Sequence, residues 1–235
     1  YDAIANANGV QLDGRVIERR ELSTATPDDS HRKNLWRTLK LLRQDEFENT
    51  SLTLIFDGLT QTLQTDDEGR FRSFWPGSLA PGWHTVRAHH ARGLGEGEVL
   101  QPHPANRLAI ISDVDDTLQV SEVLSKRQLL RHSLEENFLQ RQTFPGTPAF
   151  YQQLLRLNPY PDASLIAYLS ASPRQLEPNI RQFLQHQGFP RGALFLKTFA
   201  WHGGDPWMDQ QAYKQAVIER LFQEHPKLRF ILLGD

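Results

Sequence analysis

The sequence predicts a mixed chain in which an all-β sandwich precedes an α/β unit built on a parallel sheet. Two observations support this. Before residue 101, short runs alternate apolar and polar side chains between Gly- and Pro-containing turns, which is typical of antiparallel sandwiches. After residue 107, nearly continuous apolar runs alternate with helical patterns, which indicates buried parallel strands joined by helices. The segment QPHPANR, at 101–107, separates the two patterns and is predicted to be a linker.

The strands of the first half follow from alternation and from the turn signals between them. We predict strands at 9–18, 50–57, 61–66, 69–75, 83–90 and 95–100. Dipeptides such as Asp57-Gly58 and Pro81-Gly82 mark the turns. Short strands at this spacing favour an immunoglobulin-like sandwich, and we expect it to form a first domain over residues 1–104.

One helix, at 28–46, interrupts these strands, with Ser30 as its predicted N-cap. Three leucines at 35, 39 and 42 form one stripe with Trp36 beside it, and most basic residues lie on other faces. Basic amphipathic helices of this kind can lie in a lipid interface, so residues 31–43 are a candidate peripheral membrane contact. The alternative, which we favour, is a helix packed on its own sandwich with an exposed basic side.

The second half reads as alternating strands and helices, and we expect it to form a second domain over residues 105–235. The predicted strands are 108–112, 164–170, 192–199 and 228–235, and the predicted helices are 122–141, 144–157, 172–188 and 210–225. Such an order implies crossover connections and a mainly parallel sheet covered on both faces.

Composition excludes several classes of function. The 235 residues include no cysteine, which rules out disulfides, zinc–thiolate sites and cysteine nucleophiles. The net charge of −2 argues against a dedicated nucleic-acid binder, so no nucleic-acid partner is expected. No apolar run is long enough to cross a bilayer. We therefore expect a cytoplasmic or peripheral membrane location without a transmembrane segment.

Acidic side chains follow the first buried strand of the second half, in LAIISDVDDT, where Asp113 and Asp115 stand two residues apart. Ligands of open parallel sheets bind beyond the carboxyl ends of the strands. At the other predicted strand ends stand Ser170 and Asp235, and Lys214 begins the last helix. These groups converge on one rim if the order of the strands brings those ends together.

Carboxylates crowded at one rim raise one another's pKa, and a hard cation such as Mg²⁺ relieves this repulsion. A carboxylate beside Mg²⁺ that faces a phosphoryl group can act as a nucleophile. The acid two residues on can then protonate the leaving oxygen and activate water. A serine hydroxyl and a lysine ammonium can hold the phosphoryl oxygens. The pattern therefore predicts phosphoryl transfer to an aspartate.

The DVDDT run resembles the D-x-D-x-T signature of the haloacid-dehalogenase superfamily, whose commonest members are Mg²⁺-dependent phosphatases. The resemblance implies a Rossmann-like core with Asp113 as nucleophile and Asp115 as acid/base. It also implies phosphate binding by Thr117, Ser170 and Lys214. The implied metal ligands are Asp113, Asp115 (through its backbone carbonyl) and Asp235.

A narrower resemblance covers nearly the whole chain. The segments ISDVDDT, FPGTPAFY, YLSASP and LLGD, with Tyr213-Lys214, look like the catalytic domain of Mg²⁺-dependent phosphatidate phosphatases first known from the fungal actin patch. TDDEGRF and LAPGWH are similar to the amino-terminal region of bacterial relatives. This resemblance implies hydrolysis of phosphatidate, a membrane lipid, to diacylglycerol. Arg174 stands where the family usually has an aromatic residue. The family's GDSGQ continuation is missing, so we expect a catalytic domain that is incomplete at its C-terminal end.

Several residues admit two interpretations. Ser172 is either a substrate contact or, as we favour, the N-cap of a helix over 173–187. Lys197 competes with Lys214 for the phosphate, and its distance from Asp235 makes it the poorer match. Trp201 and His202 either contact substrate or pack over the edge of the sheet. Arg174 is a further candidate for contact with the substrate. Asp205 is a further candidate metal ligand.

The function itself also has alternatives. Neither gap between the motif residues holds a large cap domain, which suggests an open site for a bulky substrate. Phosphatidate is the substrate we favour; a phosphoprotein or a polynucleotide is the first alternative. The second alternative is a non-catalytic binding module with a degenerate phosphatase fold. An open site of this kind is expected to hydrolyse p-nitrophenyl phosphate slowly.

Overall fold

The structure is a computed structural model that describes residues 1–18, 24–42, 46–114, 137–197 and 210–234. Over these ranges the chain is mixed α/β, and two mainly antiparallel sheets precede one parallel sheet. The change from one kind of sheet to the other falls after residue 101, at the predicted linker. The predicted combination of antiparallel strands and a parallel α/β unit is confirmed at this level.

The antiparallel sheets contain seven strands, which are β1 (Ala3–Ile4), β2 (Gly9–Arg15), β3 (Ser51–Phe56), β4 (Leu59–Gln64), β5 (Arg70–Pro76), β6 (Gly82–His90) and β7 (Gly93–Gln101). The larger sheet has the order β1-β7-β6-β3-β4, and β2 pairs with β5 in a second sheet. Neighbouring strands run antiparallel, except that β1 is parallel to β7. Strand β1 was not predicted because two residues are too few to show alternation.

One apolar cluster joins the two antiparallel sheets. It contains Val10 and Leu12 of β2 together with Leu52, Leu54 and Phe56 of β3, and each of these side chains is at most 2% exposed. Buried and less buried residues alternate along both strands, which is the pattern of strands with one covered face. The cluster therefore makes a single core of the first half of the chain.

The parallel sheet has four strands in the order β10-β9-β8-β11. They are β8 (Leu108–Asp113), β9 (Ile166–Pro173), β10 (Ala193–Lys197) and β11 (Arg229–Leu233), and every neighbouring pair is parallel. Strands β8 and β9 are nearly all buried, as expected for strands covered on both faces. This order places the carboxyl ends of β9, β8 and β11 side by side.

Within the described part of the second half, three helices cover the parallel sheet: α2 (Thr147–Leu155), α3 (Glu177–His186) and α4 (Gln210–Glu224). The side chains of α2 and α3 pack with one face of the sheet in a cluster around Ile110, Ile166 and Tyr168. The opposite face packs with α4 and with Ile4, Leu100 and Trp83 of the first half. The antiparallel half thus contributes directly to the covering of the parallel sheet.

Polar contacts also fix the two halves to each other. Asn106, in the segment after β7, is almost fully buried and donates hydrogen bonds to the carbonyl oxygens of Tyr160 and Ala163. The carboxylate of Asp2 accepts hydrogen bonds from Arg181 of α3, at 2.8 Å, and from the backbone N–H of Leu194, at 3.0 Å. The predicted linker is therefore a packed connection.

The helix of the first half, α1 (His31–Leu42), packs against the second half of the chain. Its buried residues are Asn34, Arg37, Thr38 and Leu41. Asn34 donates a hydrogen bond to Gln140 at 2.7 Å, and Leu42 packs against the cluster that contains Leu176. This differs from the packing on its own sandwich that we favoured, because the stripe of leucines gave no sign of a polar partner so far along the chain.

Two predicted helices have different limits. Residues 137–141, which we placed at the end of a helix over 122–141, form a turn, and 122–136 lie outside the described residues. Strand β9 continues to Pro173, a single turn of 3₁₀-helix covers Arg174–Leu176, and α3 begins at Glu177. Pro178 stands in the first turn of α3, a position that proline favours.

Candidate active site

Asp113 ends β8 at the carboxyl edge of the parallel sheet, and its side chain is 12% exposed. Its Oδ1 accepts a hydrogen bond from the backbone N–H of Val114 at 3.0 Å. The same oxygen accepts a second, charge-assisted hydrogen bond from Nζ of Lys214 at 2.6 Å. No hydrogen bond from another described residue reaches Oδ2. One carboxylate oxygen is therefore held by two donors, and the other is available for chemistry.

Ser170 lies in β9 on the strand next to Asp113. The register pairs Asp113 with Leu169, so that Ser170 follows one residue further towards the carboxyl edge. Its side chain is fully buried, and its hydroxyl oxygen accepts a hydrogen bond from the backbone N–H of Ser172 at 3.0 Å. The two predicted motif residues are therefore brought to the same edge of the sheet on neighbouring strands.

Of the two competing lysines, Lys214 is the one that contacts Asp113. It projects from the early part of α4, whose Tyr213 packs with the cluster on that face of the sheet. Lys197 ends β10, which is separated from β8 by β9. The order of the strands therefore explains why the lysine on the helix, rather than the one on the strand, reaches the aspartate.

Two buried hydroxyls behind Asp113 were not found by sequence reasoning. The Oγ of Ser112 lies 2.7 Å from the hydroxyl oxygen of Tyr151 on α2 and donates to the carbonyl oxygen of Asp113 at 2.9 Å. Ser112 is fully buried, and Tyr151 is nearly so. Burial raises the pKa of Tyr151, and the charge of Asp113 raises it further, against the hydrogen bond with Ser112. A serine inside an apolar strand needs a buried hydrogen-bond partner. The position of Ser112 within such a strand was therefore the sequence signal for this contact.

Ser172 and Arg174 follow Ser170 at the end of β9. The interpretation of Ser172 as the N-cap of a helix is wrong, because Ser172 still belongs to the strand and α3 begins five residues later. Pro173, with an extended backbone at ψ 140°, is itself the residue that precedes the 3₁₀ turn Arg174–Leu176. The guanidinium carbon of Arg174 lies 4.1 Å from the centre of the Tyr1 ring. Arg174 is thus held by an aromatic side chain of the first half.

Several predicted site residues lie outside the described residues, namely Asp115, Thr117, Trp201, His202, Asp205 and Asp235. Among the residues that the structure describes, no group of three or more His, Asp or Glu side chains could hold a metal ion. The described part of this edge contains one oxygen donor of the kind that a hard cation prefers, the carboxylate of Asp113. Leu233 pairs with Ser112, so β11 ends beside the Asp113 carboxylate, and carboxylate oxygens are the ligands that Mg²⁺ prefers.

None of the described helices combines the length and the apolar character needed to cross a bilayer. The exposed aromatic side chains of the same part of the chain include Trp36 on α1 and Phe150 on α2.

Comparisons with known proteins were made for the whole chain. Residues 108–235 match the family described as the catalytic domain of phosphatidate phosphatase APP1. A curated relative, phosphatidate phosphatase APP1 of Saccharomyces cerevisiae, is 27% identical over 143 residues, which are 58% of this chain. The match spans only 24% of that relative's length.

Among solved structures, a carbohydrate acetylesterase from Xanthomonas citri aligns with 98% of this chain and 66% of its own, at 11% identity and a TM-score of 0.32. This likeness is too low to bear on the fold or the chemistry.

Proposed function

This chain belongs to the family of phosphatidate phosphatase APP1 catalytic domains, and from this premise we propose that it hydrolyses phosphatidate to diacylglycerol and phosphate. The observation that carries the proposal is the contact between Asp113 and Lys214 at the carboxyl edge of the parallel sheet, next to Ser170. A nucleophile, a cation and a hydroxyl at one edge are the groups that phosphoryl transfer requires. The family supplies the substrate, and this edge supplies groups for the chemistry.

The proposed nucleophile is Oδ2 of Asp113, because Oδ1 is held by Val114 and Lys214. Oδ2 attacks phosphorus, the bond between phosphorus and the glycerol oxygen breaks, and that oxygen takes a proton from Asp115 and leaves as diacylglycerol. Water then attacks phosphorus and gives a proton to Asp115. The bond between phosphorus and Oδ2 breaks, and phosphate leaves. The carboxylate of Asp113 is thereby regenerated.

Lys214 has two roles in this proposal. Before the reaction its ammonium fixes the orientation of the Asp113 carboxylate through Oδ1. As phosphoryl oxygens approach, the same ammonium offsets their negative charge in a partly buried environment, where such an interaction is stronger than in water. Ser170 and Thr117 are proposed to donate hydroxyl hydrogen bonds to the other phosphoryl oxygens.

Mg²⁺ is the proposed cofactor, and Asp113, Asp115 and Asp235 are its proposed ligands. The end of β11 beside Asp113 supports this assignment, since it brings the segment before Asp235 to the carboxylate. When bound, the ion neutralises part of the charge of the phosphoryl group. The orientation of Asp113 by Val114 and Lys214 is a property of the protein chain itself.

Two finer assignments of the fold belong to the same proposal. We assign residues 105–235 to a Rossmann-like core of the haloacid-dehalogenase type, supported by the four-stranded parallel sheet and by the position of Asp113 at the end of a central strand. We assign residues 1–104 to an immunoglobulin-like sandwich, supported by two sheets around one apolar cluster. Peripheral access to membrane lipid belongs to the same proposal, because phosphatidate is a membrane lipid.

The test is phosphate release from a panel of phosphomonoesters in the presence of Mg²⁺. The panel contains phosphatidate, a phosphopeptide, a 5′-phosphorylated oligonucleotide and p-nitrophenyl phosphate. We expect phosphatidate to be hydrolysed fastest and D113N to lose at least about 1,000-fold of the activity, as expected when a nucleophile is removed.

The matched control is D162N, an exposed aspartate at the opposite, amino edge of the parallel sheet. It should retain wild-type activity. Full activity in D113N would overturn the mechanism. Faster hydrolysis of the phosphopeptide or oligonucleotide would reassign the substrate, and absence of activity on every ester would favour the binding-module alternative.

A further inference from the structure

The helix α1 exposes a tryptophan and buries three polar side chains. Its buried residues include Asn34, Arg37 and Thr38, while Trp36 is 65% exposed. Leu35 and Leu39, which neighbour Trp36, are only half-buried. The usual arrangement directs apolar side chains inwards and polar ones to water. Leu41, which is buried, follows it, whereas Trp36 and the three buried polar residues depart from it.

Polar contacts, together with the apolar packing of Leu41 and Leu42, hold α1 in this orientation. Arg37 donates to Oδ1 of Asn34 at 2.8 Å and to Oδ2 of Asp29 at 2.5 Å. Asn34 in turn contacts Gln140 and Asn137 of the second half. Hydrogen bonds to charged groups are directional and strong. The helix is thus fixed with Trp36 outwards.

The outward side of α1 is also positively charged. Residues spaced three and four apart share a helix face, and the face around Trp36 is formed by Arg32, Leu35, Trp36, Leu39 and Lys40. Both basic residues are exposed. The helix contains no acidic residue, and the buried Asp29 that precedes it is paired with Lys33 and Arg37. We call these five residues the α1 face.

The α1 face is attached beside the candidate active site. The helix packs against the turn Arg174–Leu176, which directly follows the carboxyl end of β9. Leu42, at the end of α1, packs with the cluster that contains Val114, the neighbour of Asp113. A partner bound to the α1 face would therefore lie close to the edge of the sheet where Asp113 and Ser170 meet.

We propose that the α1 face docks on anionic lipid bilayers. Tryptophan and leucine among basic residues are the composition of helices that lie in the interface of a bilayer, and exposed cations match the negative charge of an anionic leaflet. The proposal that docking delivers lipid to Asp113 rests on the proposed function, whereas docking itself does not. A single exposed tryptophan would carry no such inference, but here it lies between two half-buried leucines and two exposed basic residues, on a helix without acidic residues.

The test compares W36A/K40Q with the matched control L157A/R156Q. Leu157 is 67% exposed, Arg156 is exposed, and both follow α2 next to Asn158, which is bound to the amino end of β8. Binding is measured by co-sedimentation with phosphatidylcholine vesicles, with and without phosphatidylserine, an anionic lipid that is not a phosphomonoester. We expect binding only to the anionic vesicles.

The α1 variant should bind on the order of 50-fold more weakly, with about fivefold from Lys40 and at least tenfold from Trp36. The control should bind as the wild type does. All substituted side chains are exposed, so both variants should keep the wild-type melting temperature. Equal binding of the α1 variant and the wild type, or equal binding to neutral vesicles, would overturn the proposal. Self-association through the α1 face, seen as a higher mass in sedimentation equilibrium without lipid, would also overturn it.

A second measurement separates docking from catalysis. The α1 variant should hydrolyse a water-dispersed short-chain phosphatidate at the wild-type rate and vesicle-borne phosphatidate more slowly. Hydrolysis by a wild type that does not bind vesicles would refute docking and leave the proposed function intact. Binding without hydrolysis of either substrate would refute the proposed function and leave docking intact.

Discussion

Nζ of Lys214 lies 2.6 Å from Oδ1 of Asp113, a contact that joins α4 to the end of β8 across 101 positions of the sequence. It forms because β8 is a central strand and α4 lies against one face of the sheet. The lysine side chain is 28% exposed and the aspartate 12%. A partly exposed ion pair contributes little to stability, so the contact is better explained by the chemistry of the site.

Substitution of Lys214 should therefore affect activity far more than stability. We expect K214M to lose about 100- to 1,000-fold of phosphatidate hydrolysis, the range found when one group that stabilises a developing oxyanion is removed. The free energy of unfolding should change by less than about 1 kcal/mol. Steady-state kinetics and urea unfolding measure the two effects.

Lys227 provides the control for Lys214. It is an exposed lysine just after α4, and K227M should match the wild type in both measurements. An activity of K214M within a few-fold of that of the wild type would contradict the assigned role.

The buried hydroxyls of Ser112 and Tyr151 should position Asp113 rather than react. Y151F removes the hydroxyl that contacts Ser112, and we expect it to lower kcat about tenfold with little change in KM, because the end of β8 becomes less fixed. The free energy of unfolding should fall by about 1 kcal/mol, as for one buried hydrogen bond. S112A should have a similar effect, and the double variant should lose less than the sum of the two single losses.

Tyr168 distinguishes positioning from a general loss of stability. It is also fully buried, and its hydroxyl donates to the carbonyl oxygen of Pro190, away from Asp113. Y168F should lower the free energy of unfolding by about the same amount and leave kcat unchanged. An equal fall of kcat in Y168F and Y151F would show that the effect is only structural.

Much of the fold follows from local pattern. The alternation in Gly9–Arg15 appears as alternating burial in β2. Asp57 and Gly58 both adopt positive φ, 50° and 74°, which is the geometry that an Asp-Gly hairpin turn favours. The start of α3 was placed too early because Ser172-Pro173 has the composition of a helix start, while the pairing of Pro173 with Lys197 extends β9.

The site shows where local pattern stops being sufficient. Asp113, Ser170 and Lys214 could be predicted because each follows a buried strand or begins a helix in a known order. The partner of Ser112 could not, since it depends on how α2 packs 39 residues later. The orientation of α1 could not be predicted either, because it is set by Asn137 and Gln140, more than a hundred residues along the chain.

The contact between Asp2 and Arg181 should stabilise the junction of the two halves. The Asp2 side chain is 2% exposed, and burial raises its pKa even though Arg181 opposes this. R181M leaves that carboxylate buried without its cation, and we expect a loss of about 3 kcal/mol in the free energy of unfolding at pH 7. A raised pKa means that the folded state binds the proton more tightly than the unfolded state. Arg181 lowers the pKa of Asp2, so that pKa is higher in R181M than in the wild type. The deficit of R181M should therefore shrink as the pH falls through the pKa of Asp2 in the variant.

Arg191 serves as the control for Arg181. It is half-exposed and pairs with Glu98 at the same junction, and R191M should lose no more than about 1 kcal/mol. Urea unfolding of the wild type and both variants at neutral and mildly acidic pH measures these differences. A deficit of R181M that stays constant with pH would be inconsistent with a buried, uncompensated carboxylate at Asp2.

His225, after α4, should make the protein sensitive to acid. Its Nε2 is buried and has no hydrogen-bond partner among the described residues. Burial, helped by the charge of Arg220, lowers the pKa of His225 from 6.5 to about 4. The folded state thus binds a proton less readily than the unfolded state, so this contribution to stability is complete above pH 6.5 and is lost as the pH falls towards 4. Since the ring is only partly buried, we expect the loss to be about 1–2 kcal/mol of the free energy of unfolding.

Urea unfolding between pH 7 and pH 4.5 tests the role of His225. The free energy of unfolding of H225Q should decline less steeply with falling pH than that of the wild type. H31Q, at an exposed histidine, should follow the wild type. An unchanged decline in H225Q would exclude His225 as the source of the acid sensitivity.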